Sequence, residues 1–321
     1  MPWVVGIDEA GYGPNLGPFV MTSVACRVPE ELLGGDLWGV LRPAVRRFSE
    51  PDDGRLLVED SKVVYSAARG LLGLETGVAA TVLPPAAGQA WSLADYVEWA
   101  CPAGHADLRR EPWYTGSCRL PVLVKPEDLG PAAERFREAC ARGQVSWGPV
   151  RSVVVCPARF NEILDRWDSK GAVLGHSLAE LLTANLAALD PAEPVWFVVD
   201  KHGGRNTYAA VLQNALAEGM VVARQEGRER SVYEVLGLPR AVRVTFEPRA
   251  DANHFGVALT SMLSKYLREL LMLEFNRFWQ ARVPGLRPTA GYPGDAARFF
   301  AEIRPTAAGL GIPDNVLWRR R

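Results

Sequence analysis

Apolar and polar positions fall into distinct textures along the chain. Trp3, Val4, Val5 and Ile7 make a short apolar run that ends on two adjacent carboxylates, Asp8 and Glu9. "GYGPNLG" and "FVMTSVACRV" follow, so the opening predicts strand, tight turn, strand. "PEELLGGDLWGVLRPAVRRF" has mixed helical character and leads into the polar "SEPDDGR". "VRSVVVCPARFNEIL" predicts a strand entering a helix, and "SLAELLTANLAALD" a helix. "PVWFVVD", residues 194–200, is a second buried strand that ends on a carboxylate. "GMVVARQEGRERSVYEV" and "AVRVTFEP" alternate like strands in a hairpin or a sheet extension. Phe255, Leu259, Met262, Tyr266 and Leu270 then recur at spacings of three and four, one apolar stripe on a long helix. Asp251 stands just before that helix, where an N-cap belongs.

Residues 83–150 break this order. "LPPAAGQAWS", "CPAGHADLRREPWYTGSCRLP" and "KPEDLGP" are rich in Pro, Gly and Trp. The stretch reads as an insertion packed on the main body, with tryptophans that serve packing or touch a ligand. The expected division is a core of residues 1–82 and 151–280, the insertion 83–150, and a C-terminal section 281–321.

With 321 residues, 48% of them hydrophobic, the chain can bury a large core. The five cysteines, 26, 101, 118, 140 and 156, form no CxxC pair, which argues against a disulfide framework or a zinc site. "MPWVVGIDEAG" lacks the basic start of a signal peptide, and no apolar stretch approaches the roughly 20 residues that span a bilayer. The expectation is a soluble, cytoplasmic monomer with no membrane partner. A formal charge of −1 does not exclude nucleic acid, because a basic face can coexist with an acidic cluster. There is no GxxxxGK[ST] phosphate loop, and no serine or cysteine sits in a nucleophile elbow, so no organic cofactor is expected.

What remains is carboxylates in apolar surroundings. Adjacent strand residues point to opposite faces, so one of Asp8 and Glu9 must face the core. A buried carboxylate is costly unless it is paired or holds a metal. Asp8, Glu9, strand-end Asp200 and helix-start Asp251 are therefore candidates for one cluster holding Mg²⁺ or Mn²⁺, two ions of which would hydrolyse a phosphodiester. Plainer readings stand beside this one: Asp251 as a simple cap, and Asp200 as the start of a turn, "DKHGG".

Five blocks, "GIDEAGYGP", "EDSK" (59–62), "VVDKHGG" (198–204), "RADANHFGVALTSMLSKYLRE" (249–269) and "AGYPGD" (290–295), occur in the order of the type 2 ribonucleases H. The chain resembles a divergent ribonuclease HII, closer to the archaeal and eukaryotic catalytic-subunit form, and the blocks cover about a fifth of it. The resemblance implies an α/β ribonuclease H-like fold, a mixed five-stranded sheet flanked by helices in which the first and fourth strands are neighbours. It implies that Asp8, Glu9, Asp200 and Asp251 are the catalytic, metal-binding acids for two divalent ions. It further implies nucleic-acid contacts at Gly11, Tyr12, Gly13, Lys62 and Tyr292.

The implied activity is cleavage of the RNA strand of RNA–DNA hybrids, or at ribonucleotides embedded in duplex DNA. Tyr12 stands where the family has arginine or lysine, and Lys201 where it has a small or neutral residue. Lys201 could pair with Asp200 or bind phosphate. Lys265 and Arg268 match a helix pair that serves structure first, with phosphate contact as the lesser alternative. His202 and His254 are loop and helix-start histidines, or serve proton transfer. Arg224, Arg228 and Arg230 supply phosphate contacts or form a solvated strand face. Two alternatives stay open: a non-catalytic nucleic-acid-binding relative, and a nuclease of the same fold with an altered substrate. "NVLWRRR" at the end lacks the paired aromatics of a sliding-clamp peptide.

Overall fold

A computed structural model describes residues 1–66, 68–83, 91–101 and 106–320. The parts of the expected insertion at 84–90 and 102–105 lie outside the described residues. Seven strands form the main sheet: β1 (Trp3–Ala10), β2 (Phe19–Arg27), β3 (Ser146–Val155), β4 (Val195–Asp200), β5 (Met220–Gln225), β6 (Ser231–Leu236) and β7 (Val242–Glu247). Their order is β3-β2-β1-β4-β7-β6-β5. β1 is antiparallel to β2 and parallel to β4, and β4 is parallel to β7. The first and fourth strands are neighbours, as expected. The sheet has seven strands rather than five because β5 and β6 extend it as an antiparallel hairpin beside β7.

The helices that matter for the site are α1 (Ser61–Val64), α2 (Pro126–Arg142), α3 (Pro157–Trp167), α4 (Lys170–Ala188), α5 (Ala250–Asn253), α6 (Phe255–Gln280) and α7 (Pro293–Gly309). β1 is covered on both faces. Val5 and Ile7 pack with α4 residues Leu178, Leu181 and Leu182. α6 covers the other face, and the approach is close enough to require glycine. A Cβ on Gly6 would lie 2.5 Å from the Gly256 carbonyl carbon.

α6 runs through two cores. Its Phe255, Leu259, Met262, Tyr266 and Leu270, the predicted stripe, pack with Leu93, Tyr96, Phe136 and Val145 of the expected insertion. Its C-terminal half packs Phe275 and Trp279 on Trp113, Phe299 and Ile303. The tryptophans of the insertion therefore pack: Trp99 stacks on Tyr96, and Trp147 on Phe136. β3 runs across the expected boundary at residue 150.

α2 departs from the sequence expectation, in which Pro126, Gly130 and Pro131 read as breakers. Pro126 sits at the helix start, where its missing amide costs nothing, and Ala132, Phe136, Ala139 and Cys140 carry the buried stripe. Asp251 does not cap α6. It lies in the separate turn α5, and His254 occupies the cap position with no side-chain cap bond. Among the described residues, no helix is long and apolar enough to cross a membrane.

Candidate active site

β1 and β4 run parallel in the register Ile7–Val199, and the next residue in each strand is a carboxylate, Asp8 and Asp200. Neighbouring strands lie about 4.8 Å apart, so the sheet alone brings these two acids together. Asp251 arrives by a local device. Arg249 takes a left-handed conformation (φ +56°) uncommon for a side-chain-bearing residue. This turns the chain so that the Ala250 amide donates to Asp200 Oδ1 at 2.8 Å. Glu9 follows Asp8 on the strand, and its own amide donates to Asp8 Oδ1 at 2.8 Å.

The four carboxyls feel one another. Burial, then Glu9, Asp200 and Asp251, push Asp8 well above the usual carboxylate range, while Ser261 steadies its charged form. Burial and then Asp200 push Glu9 up to about 7, with Lys62 opposing. Asp200 is raised by burial and by Asp60, against the Ala250 amide and Lys62. Asp251 rises to about 6 through burial, Asp60 and Asp200. Lys62 answers this charge: burial works against its ammonium, yet Asp60, Asp8, Asp251 and Asp200 together raise its pKa.

The surroundings hold these groups in place. Asp60 caps α1 by accepting from the Lys62 amide at 2.9 Å, so the lysine is anchored beside the acids. Ser261 of α6 hydrogen-bonds Ser61 at 3.0 Å, and Ser264 donates to the Asp8 carbonyl at 3.0 Å. Asp60 and Ser261 lie within the sequence blocks, yet sequence reasoning assigns them no role. The signal for Asp60 is its place before "SK", in reach of any group Lys62 meets.

The turn after the acids is fixed from behind. Gly11 has φ +83°, and a Cβ there would collide with the Arg268 side chain. Arg268, fully buried, donates to the carbonyls of Pro18 at 3.2 Å and Ala290 at 2.9 Å. Arg319 of the C-terminal segment donates its amide to the Asn15 carbonyl at 2.8 Å, and Leu16 bridges to Trp318. Tyr292, 47% exposed, stands at the start of α7, its ring 4.0 Å from where a Cβ on Gly13 would lie. The structure thus brings Gly11, Tyr12, Gly13 and Tyr292 to one edge, and Lys62 to the acids.

Other sequence candidates point elsewhere. Lys201 neither pairs with Asp200 nor faces solvent. Its ammonium is buried among the Asn206 side chain and the carbonyls of Gly227 and Arg228. His202 is buried, and burial drives its pKa down to about 4, so it is neutral. His254 meets Glu247 at 2.9 Å. Arg224 pairs with Glu234, Arg230 with Glu247, and Lys265 with Glu269.

The donor set suits a hard divalent cation: four oxygen-only side chains whose burial and mutual repulsion an ion would relieve. Among the described residues, no group of three or more His, Cys, Asp or Glu side chains is close enough as it stands to hold a metal ion. A hollow of about 80 Å³, lined by Val4, Gly6, Trp196, Val198 and Phe255, lies apart from the four acids, and none of them faces it.

No protein-family model matches the sequence, and no curated protein matches it. Solved structures do. RNase HII in the PCNA:RNase HII complex from Archaeoglobus fulgidus is similar at 16% identity, over 99% of this chain and 94% of that one, with a TM-score of 0.45. Ribonuclease H2 from Pyrococcus horikoshii OT3 is similar at 17% identity, over 98% and 92%, with a TM-score of 0.44. Bst-RNase HIII in complex with Mn²⁺ is similar at 14% identity, over 99% of this chain and 66% of that one, with a TM-score of 0.44.

Proposed function

We propose that this protein is a divalent-cation-dependent endoribonuclease of the ribonuclease H type that hydrolyses the RNA strand of RNA–DNA hybrids. One observation carries the reading. Asp8, Glu9, Asp200 and Asp251 come from two strand ends and a turn, the Asp200 charge raises the pKa of the other three, and all four act with one lysine. A fold does not gather four repelling carboxylates for stability, since each costs free energy to bury.

These four residues would hold Mg²⁺ or Mn²⁺. Bound cations supply the positive charge that water attack on a phosphodiester needs. The chain's own groups do the rest. Asp60 and the acids hold Lys62 where a phosphate oxygen would approach. The Gly11–Gly13 turn offers backbone amides close to the strand, and the 2′-hydroxyl, both donor and acceptor, is what marks a ribonucleotide there. Tyr292 offers an exposed ring to a sugar or base. No covalent enzyme intermediate is required.

The test is a panel of labelled substrates: a continuous RNA–DNA hybrid, a DNA duplex holding one ribonucleotide, duplex RNA and duplex DNA. The hybrid should be cut to 3′-hydroxyl and 5′-phosphate ends, duplex DNA should survive, and Asp8→Asn should abolish cleavage while duplex binding persists. Undiminished cleavage by Asp8→Asn would remove the assignment.

A further inference from the structure

Phe48 is a large apolar side chain left 54% exposed, and the chain around it is tied down. Its amide donates to Glu59 Oε2 at 2.7 Å, one residue before Asp60. Arg47, just before it, donates from Nη1 to the Ala252 carbonyl at 3.0 Å, one residue after Asp251. The Arg47 guanidinium also covers the Trp38 ring, 3.6 Å from its centroid. The segment that begins at Glu59 then returns to the same place. The Arg69 guanidinium carbon stands 5.1 Å from the Phe48 ring centroid. Exposed Lys62 lies along the chain between these two attachments.

An aromatic ring and a guanidinium are thus held on the rim of the acid centre by neighbours of Asp60 and Asp251. Arg69 is exposed, its Nε donates to Ser66 Oγ at 3.2 Å, and among the described residues no carboxylate pairs with it. The acids of the adjacent loop are engaged elsewhere: Glu50 and Asp53 with Arg55, Asp52 with Arg46. A lone apolar side chain on a surface is ordinary. One fixed beside an anionic centre, with an unpaired guanidinium on its ring, is a different object. The ring steadies Arg69 without consuming its charge. A nucleotide offers the matching pair in one unit, an apolar sugar face and a phosphate.

We propose that Phe48 and Arg69 form a nucleotide contact for the bound duplex, flanking the phosphate at the acid centre. The ring packs on a sugar, and the guanidinium forks onto the phosphate attached to it. The contact rests on the nuclease reading above and adds a grip from two residues that lie outside all five sequence blocks.

The experiment measures binding of a labelled RNA–DNA hybrid by anisotropy across a salt series, in an Asp8→Asn background that leaves the strand intact. Salt separates the two partners. Phe48→Ala should weaken binding about tenfold at every salt concentration, with the slope of log affinity against log salt unchanged. Phe48→Trp should restore the affinity. Arg69→Ala should flatten the slope by about 0.9 or less, and Arg69→Lys, which keeps the charge, should retain it. Leu310→Ala, which removes a side chain 50% exposed just past the end of α7, should change neither quantity. Unchanged affinity in Phe48→Ala, a loss that Phe48→Trp does not restore, or an unchanged slope in Arg69→Ala overturns the contact and leaves the nuclease reading standing. Failure of the parent protein to bind any duplex would overturn both.

Discussion

At the scale of the residue, the acids are legible because charge in an apolar strand is an anomaly that physics must explain. Asp8 and Asp200 each end a run of buried aliphatics, and the sheet register makes them neighbours. What the sequence does not show is direction. Lys201 adjoins Asp200 in the chain, yet strand alternation sends it to the opposite side, into carbonyls of the 227–228 loop. Asp251 resembles a cap because it precedes α6; the left-handed Arg249 instead turns it toward Asp200.

Glu111 gives no signal in the sequence, and it carries a pH prediction. It is 5% exposed, its Oε2 has no hydrogen-bond partner among the described residues, and burial pushes its carboxyl up to about 8. The folded state therefore holds a proton that the unfolded chain releases near the ordinary glutamate value of 4.5. Stability is greatest below that value and declines as pH rises toward 8. Glu111→Gln should shrink the fall in stability between pH 5 and pH 8 by on the order of 2 kcal/mol. Urea titrations of both proteins at the two pH values read this difference, and parallel declines would contradict it.

At the scale of the element, the alternating and helical patterns locate β1 to β4 and the long helix well. The pattern over β5 and β6 fits a hairpin or a sheet extension, and the pair is both. α2 is hidden by Pro126, whose cost vanishes at a helix start, and by Pro131, which the helix carries inside it. The contact of β1 with α6 is also illegible, since it depends on two glycines, Gly6 and Gly256, meeting backbone to backbone across most of the chain. That contact places the Asp8 end of β1 against Ser261 and Ser264. Gly6→Ala forces a Cβ into the Gly256 carbonyl and should cost about 2–3 kcal/mol. A lower urea midpoint with an unchanged slope is expected, and an unaltered midpoint would show that the two elements yield freely.

At the scale of the whole molecule, the stretch expected as an insertion shares its packing with the main body. Leu93, Tyr96 and Phe136 share one core with β2 and α6. Buried Glu75 ties the two together: it accepts from the Val122 and Leu123 amides at 2.6 Å and from Tyr266 at 2.7 Å. The C-terminal segment reaches back to Asn15 and Leu16, so both ends of the chain brace the turn beside the acids. A net charge of −1 leaves no general attraction for nucleic acid, and any grip must come from local cations such as Lys62.

The central claim is that the four acids act as one cation-dependent hydrolytic centre. The most direct measurement is cleavage of a continuous RNA–DNA hybrid by the pure protein, with Mg²⁺, with Mn²⁺ and with chelator, beside Asp200→Asn. Cleavage that requires a divalent cation and falls to background in the variant is the predicted result. Cleavage that persists in chelator, or in Asp200→Asn, would contradict the account.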